Sequence, residues 1–182
     1  MAHESSTSYV RDAEHTLRYY KGLGERAMAQ TPDEALTASL DAESNSIAII
    51  VKHMTGNMRS RWVDFLTSDG EKPDRNRDTE FEAPPDTRAG TLAMWEQGWR
   101  YLFDALAPLT DADLGRCVMI RSQPHSVMQA IQRQMAHYCY HVGQIVYLAR
   151  HFAGGQWKSL SVPRGKSADF NARLQAGGAP KN

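Results

Sequence analysis

The apolar pattern of residues 126–152 constrains this chain more than any other feature of it. Val127, Ile131, Gln134, Tyr138, His141, Ile145, Leu148 and Phe152 recur at alternating spacings of four and three, which marks one face of an amphipathic helix about seven turns long. Ser126 is a suitable N-cap after Pro124-His125, and Gly154-Gly155 closes the run. A helix of that length with one apolar face must bury it against others, and three further segments supply them. Val10, Ala13, Leu17, Tyr20, Gly24 and Ala27 predict a helix over roughly 7–29, ended by Thr31-Pro32. Ile47, Ile50, Met54, Trp62 and Phe65 predict a second from about Asp41 to Thr67, with His53 and Asn57 on the flank of the stripe. Leu92, Trp95, Trp99, Leu102 and Leu106 predict a third, stopped by Pro108. No strand pattern, internal repeat or low-complexity tract accompanies them, so the expected fold class is an all-α four-helix bundle.

Residues 68–90 mix glycine, proline and charges, contain Pro84-Pro85, and read as a long surface connection. Residues 107–124 form a second, in which Cys117-Val118-Met119-Ile120-Arg121 is too apolar to solvate freely and is expected to pack in extended form. The chain 1–182 reads as one domain with a C-terminal extension, 157–182, holding a short helix after Ser167. Trp157, Leu160, Val162 and Phe170 are too apolar for a disordered tail. The extension is therefore expected to pack near the functional end, on the bundle or on a partner subunit, and wall the site, the alternative being that it covers an apolar patch.

Composition excludes whole classes of partner. Lys plus Arg (21) balance Asp plus Glu (21) at a pI near 7.1, which leaves no electrostatic footprint for nucleic acid and no basic arm for a membrane surface. Small molecules are the expected ligands. Met1–Ser8 lack an apolar signal core and no stretch approaches a membrane span, so a cytoplasmic location is expected. The two cysteines, without a CxxC, fit a reducing compartment.

His137 and His141 lie one turn apart on the last helix, and His53 lies on the second. Residues four apart share a helix face, so the pair can reach one metal ion, and a third histidine from a neighbouring helix would complete an open three-histidine site of the kind catalytic zinc uses. The alternative is three helix histidines satisfied by hydrogen bonds. Cys139, two residues from each, is about 200° around the helix and should face away; Cys117 reads as a small buried hydrophobe. Asn57 and Gln134 could orient a water or substrate or be satisfied inside the bundle. Arg59, Arg61, Arg121 and Arg133 could grip a carboxylate or form surface pairs. Asp64 is about three turns from His53, and no carboxylate stands beside the histidines in the sequence. Di-iron Glu-x-x-His pairs, HExxH, a Gly-rich phosphate loop and GxSxG are all missing. Trp95, Trp99, Tyr101, Phe103, Tyr138 and Tyr140 are more large aromatics than one core face per helix accommodates, which predicts a homodimer.

Several separated motifs, in order, resemble the DinB-like (YfiT-like) superfamily of metalloenzymes, and within it an uncharacterised bacterial branch. They are Glu43-Ser44-Asn45-Ser46-Ile47 leading to His53, Ser60-Arg61-Trp62-Val63-Asp64-Phe65-Leu66, Asp69-Gly70-Glu71-Lys72 with Asn76-Arg77-Asp78, His137-Tyr138-Cys139-Tyr140-His141-Val142-Gly143-Gln144-Ile145, and Ser159–Ser167. The resemblance implies a four-helix bundle in a mirror variant of the up-and-down topology, often dimeric. It also implies a zinc, nickel or similar divalent ion held by one histidine of the second helix and an HxxxH pair of the last, positions that His53, His137 and His141 match one for one. Characterised members include transferases and isomerases that use a low-molecular-weight thiol such as bacillithiol, mycothiol or glutathione. The implied function is a thiol-dependent S-transferase; a metal-dependent hydrolase and a non-catalytic, metal-binding, stress-associated dimer are the alternatives.

Overall fold

The computed structural model describes residues 6–177; the reading of the N-terminal residues 1–5 and of the last five residues of the extension lies outside them. Its body is four helices, α1 (Tyr9–Met28), α2 (Ile47–Trp62), α3 (Arg88–Leu106) and α4 (Val127–Ala153), followed by a short α5 (Ser167–Gln175). The all-α bundle expected from periodicity is present. Each long helix starts at a hydroxyl that accepts an otherwise orphaned N–H: Ser8 from Arg11, Ser46 from Ile49, Thr87 from Gly90, and Ser126 from Gln129, whose side chain closes a capping box. Helix α2 is shorter than the pattern predicts at both ends. The Ser46 cap fixes its start, and extended Val63 followed by left-handed Asp64 (φ 51°) ends it at Trp62, although Phe65 beyond the end is still buried.

Helices α1 and α4 run one way and α2 and α3 the other. Arg88 at the start of α3 donates to the carbonyls of Met28 and Thr31 at the end of α1, and Gln30 pairs with Lys158 just past α4. Along α2, Trp62 meets Tyr138 of α4 while Ile50 lies beside Leu148, so that pair is antiparallel. Thr55 donates to the Met94 carbonyl, and Trp62 and Phe65 share a cleft with Tyr101 and Ala105, so α2 and α3 are parallel. The segment joining them must therefore return along the whole of α2, about 24 Å for 16 residues. This crossover is less superficial than its composition indicates. Lys52 Nζ ties it down by donating to the carbonyls of Thr79 (2.7 Å) and Glu82 (2.6 Å), and its 3-10 turn, Asp78–Phe81, buries Glu80.

The interior is filled by Leu17, Met28, Ile47, Met54, Met58, Trp95, Trp99, Leu102, Leu106, Ile131 and Tyr138, all essentially inaccessible. Close approach helps: a Cβ on Gly24 would lie 2.8 Å from the Trp95 ring, so α1 can meet α3 there only with glycine. Trp95, Trp99 and Tyr138 are thus absorbed by the core, and of the aromatics that seemed surplus only Tyr140 stands fully exposed. Between α3 and α4 the extended segment is a small hairpin, β1 (Cys117–Ile120) pairing antiparallel with β2 (Gln123–Ser126). Its turn residues Arg121 and Ser122 both have positive φ (53° and 59°) and give their backbone N–H groups to the Asp69 carboxylate at 2.8 and 2.6 Å. Alternation along β1 buries Val118 and Ile120 and turns Cys117 outward, so Cys117 is exposed and not the buried hydrophobe expected. No helix among the described residues is long and apolar enough to cross a membrane.

Candidate metal centre

The antiparallel contact of α2 and α4 brings the three histidines together midway along the bundle. His137 Nε2 lies 3.4 Å from His53 Nε2 and 3.1 Å from His141 Nε2, and one ligand atom from each residue falls within 4.8 Å of the others. His53 and His141 are buried and His137 half-buried. What the outer nitrogens do decides which way the rings are protonated. His53 Nδ1 is 2.8 Å from Glu80 Oε2, and His141 Nδ1 is 2.7 Å from Gln144 Oε1. A carboxylate only accepts, so His53 carries a proton on Nδ1, and the neutral ring has its lone pair at Nε2; the amide oxygen assigned to Gln144 does the same for His141. Desolvation, reinforced by the neighbouring His141 and His53, pushes the His137 pKa down to about 3, and desolvation takes His141 to about 4 against the opposing Gln144 bond. These are neutral imidazoles, the form that ligates metal.

Lone pairs converging at this spacing repel unless a cation, or a proton on His137 Nε2, lies between them. Two nitrogens each bound about 2.0–2.1 Å from a tetrahedral ion sit roughly 3.4 Å apart; the His53–His137 pair matches that spacing at 3.4 Å and the His137–His141 pair is somewhat closer at 3.1 Å. The cluster could therefore hold a divalent ion with a position left open.

Glu80 is the part of the site that sequence reasoning missed: a carboxylate does stand beside the histidines. Burial alone would raise its pKa, but the bonds from His53 and Arg75 prevail and hold it below the ordinary range. Arg75 grips it through Nε to Oε1 at 2.8 Å and Nη2 to Oε2 at 3.0 Å, so both oxygens are engaged, on the side of His53 away from the cluster. Phe81 stacks on the His53 ring at 4.7 Å and 27°. Room for the carboxylate comes from Gly56, where a Cβ would lie 2.7 Å from Glu80 Cδ. Nothing local in the sequence announces this, because the crossover delivers Glu80 from 27 residues away. Gln144 was findable, one turn after His141 on the same helix.

The remaining candidates separate cleanly. Asn57 accepts from the Tyr138 hydroxyl at 3.0 Å, which itself accepts from Trp62 Nε1 at 2.9 Å, a buried relay that braces α2 against α4. Gln134 is buried with its amide oxygen unpartnered. Arg59 makes an exposed pair with Asp74, whereas Arg61 is buried, donating to the Gly70 carbonyl and to Glu71. Cys139 faces Tyr20 of α1, away from the cluster as expected, with burial pushing its thiol pKa up. A cavity of about 250 Å³ opens beside the cluster, lined by His53, Asn57, Arg61, Arg75, Arg77, Arg121, Arg133, Gln134 and His137. On the other side of His141, Leu40, Ile50, Tyr140, Gln144 and Tyr147 border an open groove of about 540 Å³. The extension docks instead at the end of α1, through Gln30 and Lys158 and partly buried Trp157 and Leu160. Among the described residues it lines neither space, and Arg75 and Arg77 of the crossover wall the cavity instead.

A family model described as "Protein of unknown function (DUF1572)" matches residues 4–166. No curated protein matches. Among solved structures, a DinB-like protein from Bacillus cereus ATCC 10987 superposes with a TM-score of 0.57 at 15% identity, covering 81% of this chain and 94% of that one. At that identity the likeness is one of fold.

Proposed function

The chain belongs to the DUF1572 family and has the DinB-like fold, and from that premise we propose that it is a divalent-metal enzyme, an S-transferase acting through a low-molecular-weight thiol. His53, His137 and His141 are the residues that would hold the ion, zinc or nickel, through their Nε2 atoms. When bound, the ion supplies the Lewis acidity that keeps a thiol deprotonated at neutral pH. One observation carries the reading: Glu80 and Gln144 hold the Nδ1 protons of His53 and His141 outward, so the lone pairs converge on one point.

The chain's own groups do the rest. Phe81 fixes the plane of His53, and the Trp62–Tyr138–Asn57 relay holds the two helices in register. Thiol transfer is favoured over hydrolysis because hydrolysis needs a proton acceptor at the open face. Glu80 stands behind His53 with both oxygens engaged, and no other carboxylate joins the cluster among the described residues. The two free cysteines agree with operation in the reducing cytoplasm. A second copy would cover exposed Tyr140, Tyr147 and Leu40 in a homodimer.

Elemental analysis of the purified protein should find about one divalent ion per chain, lost in His141→Ala. Bacillithiol, mycothiol and glutathione, each offered with a chloronitrobenzene electrophile, should be consumed only by metal-replete protein. Equal metal in wild type and variant sinks the assignment. Turnover of ester or amide substrates without thiol would favour the hydrolase, and metal without any turnover the non-catalytic dimer. Light scattering near 40 kDa, twice the 20.4 kDa chain, is expected for the homodimer.

A further inference from the structure

The cavity beside the histidines is lined by five guanidiniums, those of Arg61, Arg75, Arg77, Arg121 and Arg133. They come from four parts of the fold: α2, the crossover, the hairpin turn and α4. Two carboxylates pair with them, and a third holds the hairpin turn. Glu80 takes Arg75, Glu71 takes Arg61, Arg75 and Arg121, and Asp69 receives the backbone N–H groups of Arg121 and Ser122. Arg77 only lies over the Phe81 ring, 5.0 Å from its centroid, and Arg133 meets no carboxylate among the described residues. Positive charge is thus gathered around a concave space in a protein whose net charge is zero. The Glu71 and Glu80 carboxylates offset only part of that charge, and an anion entering the cavity would offset the remainder.

Buried polar atoms point the same way. Arg61 is 5% exposed, and its Nε–H has no partner; Gln134 is 3% exposed, and its amide oxygen has none. A buried donor left unpaired on a residue of the cavity wall costs stability unless an acceptor entering the cavity satisfies it, whereas Gln134 Oε1 is itself an acceptor and serves an anion only with its amide reversed. The Gln134 amide, turned about its last torsion, also offers an N–H.

We propose that this cavity is an oxyanion subsite, and that the substrate or thiol co-substrate of the neighbouring centre is a small molecule carrying a carboxylate or phosphate group. Arg77 and Arg133 are its unneutralised arms, and buried Arg61 and Gln134 belong to its wall. The assignment rests on the metal-enzyme reading above for which atoms lie next to the reactive group, and it adds the class of molecule. At about 250 Å³ the space admits the anionic end of such a molecule and leaves the rest directed at the histidines.

The test is calorimetric titration at low ionic strength with succinate, inorganic phosphate and, as the neutral control, succinamide. The samples are the protein as purified, the chelator-treated protein, the Arg77→Gln/Arg133→Gln double variant, and Arg150→Gln as an exposed-arginine control. The expected result is binding of succinate or phosphate but not succinamide, weakened about tenfold or more in the double variant, unchanged in Arg150→Gln, and persisting after chelation. The tighter of the two anions identifies the group as carboxylate or phosphate. Equal binding by the double variant, no anion binding at all, or binding that disappears with the metal overturns the subsite. Elemental analysis of the same samples, and their melting curves, report separately on the histidine centre and on folding.

Discussion

Two glycines flank the histidine cluster in mid-helix, and replacing each by alanine should have opposite results. Glycine in a helix interior costs about 1 kcal/mol relative to alanine, so either change would stabilise if space allowed. At Gly143, between His141 and Gln144 in sequence, nothing lies within 4 Å of the added Cβ. Gly143→Ala should therefore gain up to about 1 kcal/mol, a rise of roughly 2–4 °C in Tm for a chain of this size. At Gly56 the new methyl falls 2.7 Å from Glu80 Cδ and 3.1 Å from Cγ. The end of a glutamate normally yields, but this one is held by His53 and by two bonds from Arg75. Displacing it forfeits charge-assisted hydrogen bonds worth about 1.5–3 kcal/mol each. Losing two of them, less the helix gain, leaves Gly56→Ala destabilised by about 2–5 kcal/mol, a fall on the order of 10 °C. It also frees the His53 ring, and loss of such a partner lowers metal affinity by about 10–100-fold. Paired thermal melts and competition against a chromophoric chelator read both quantities. A Gly56→Ala protein that melts at or above wild type and binds metal equally well would refute the role given to Glu80.

Glu80→Gln keeps an acceptor for His53 Nδ1–H but removes the charge facing Arg75, both side chains being under 10% exposed; stability should drop by about 3 kcal/mol and metal affinity about tenfold, and an unchanged melting curve would contradict this. Tyr138→Phe should cost about 1–3 kcal/mol by stranding the buried Trp62 N–H, measurable as a shift in urea midpoint; a cost no larger than that of an exposed Tyr147→Phe would dismiss the relay. Chelator-treated protein should lose stability as pH falls from about 6.5 toward 4, because the folded pKa values of His137 (about 3) and His141 (about 4) lie below that of the unfolded chain, which therefore takes up protons first. A urea midpoint that stays flat across that window would exclude buried neutral imidazoles.

The helices were legible because a 3.6-residue period survives in sequence whatever packs against it, and His137 with His141 because one turn of helix relates them. His53 could be put beside them only through the arrangement of α2 on α4, which local pattern does not encode. Glu80 was invisible for a sharper reason. It sits in a polar, proline-containing stretch whose composition is that of a solvated loop, and it is buried only because parallel α2 and α3 force the chain back past His53. Cys117 failed in the reverse direction: its apolar neighbours hid a two-residue alternation only four residues long, too short to register as a strand. Arg61, Arg121 and Arg133 were visible one by one and Arg75 and Arg77 were not, and their convergence depends on the crossover and on a hairpin turn that Asp69 holds in place.

The crossover's attachment has a kinetic meaning. It is fastened to α2 by lysine–carbonyl bonds, the Arg75–Glu80 grip and one stacked ring, with little of the apolar interlock that joins the helices to one another. Segments held this way detach at a lower free energy than the surrounding core and form a separate unit of hydrogen exchange. Amides of residues 75–82 should therefore exchange well before those of α3, and each detachment bares the outer edge of His53 while the bundle stays folded. Loading and removal of whatever the histidines hold can then proceed through a door on the flank, at a rate independent of global unfolding.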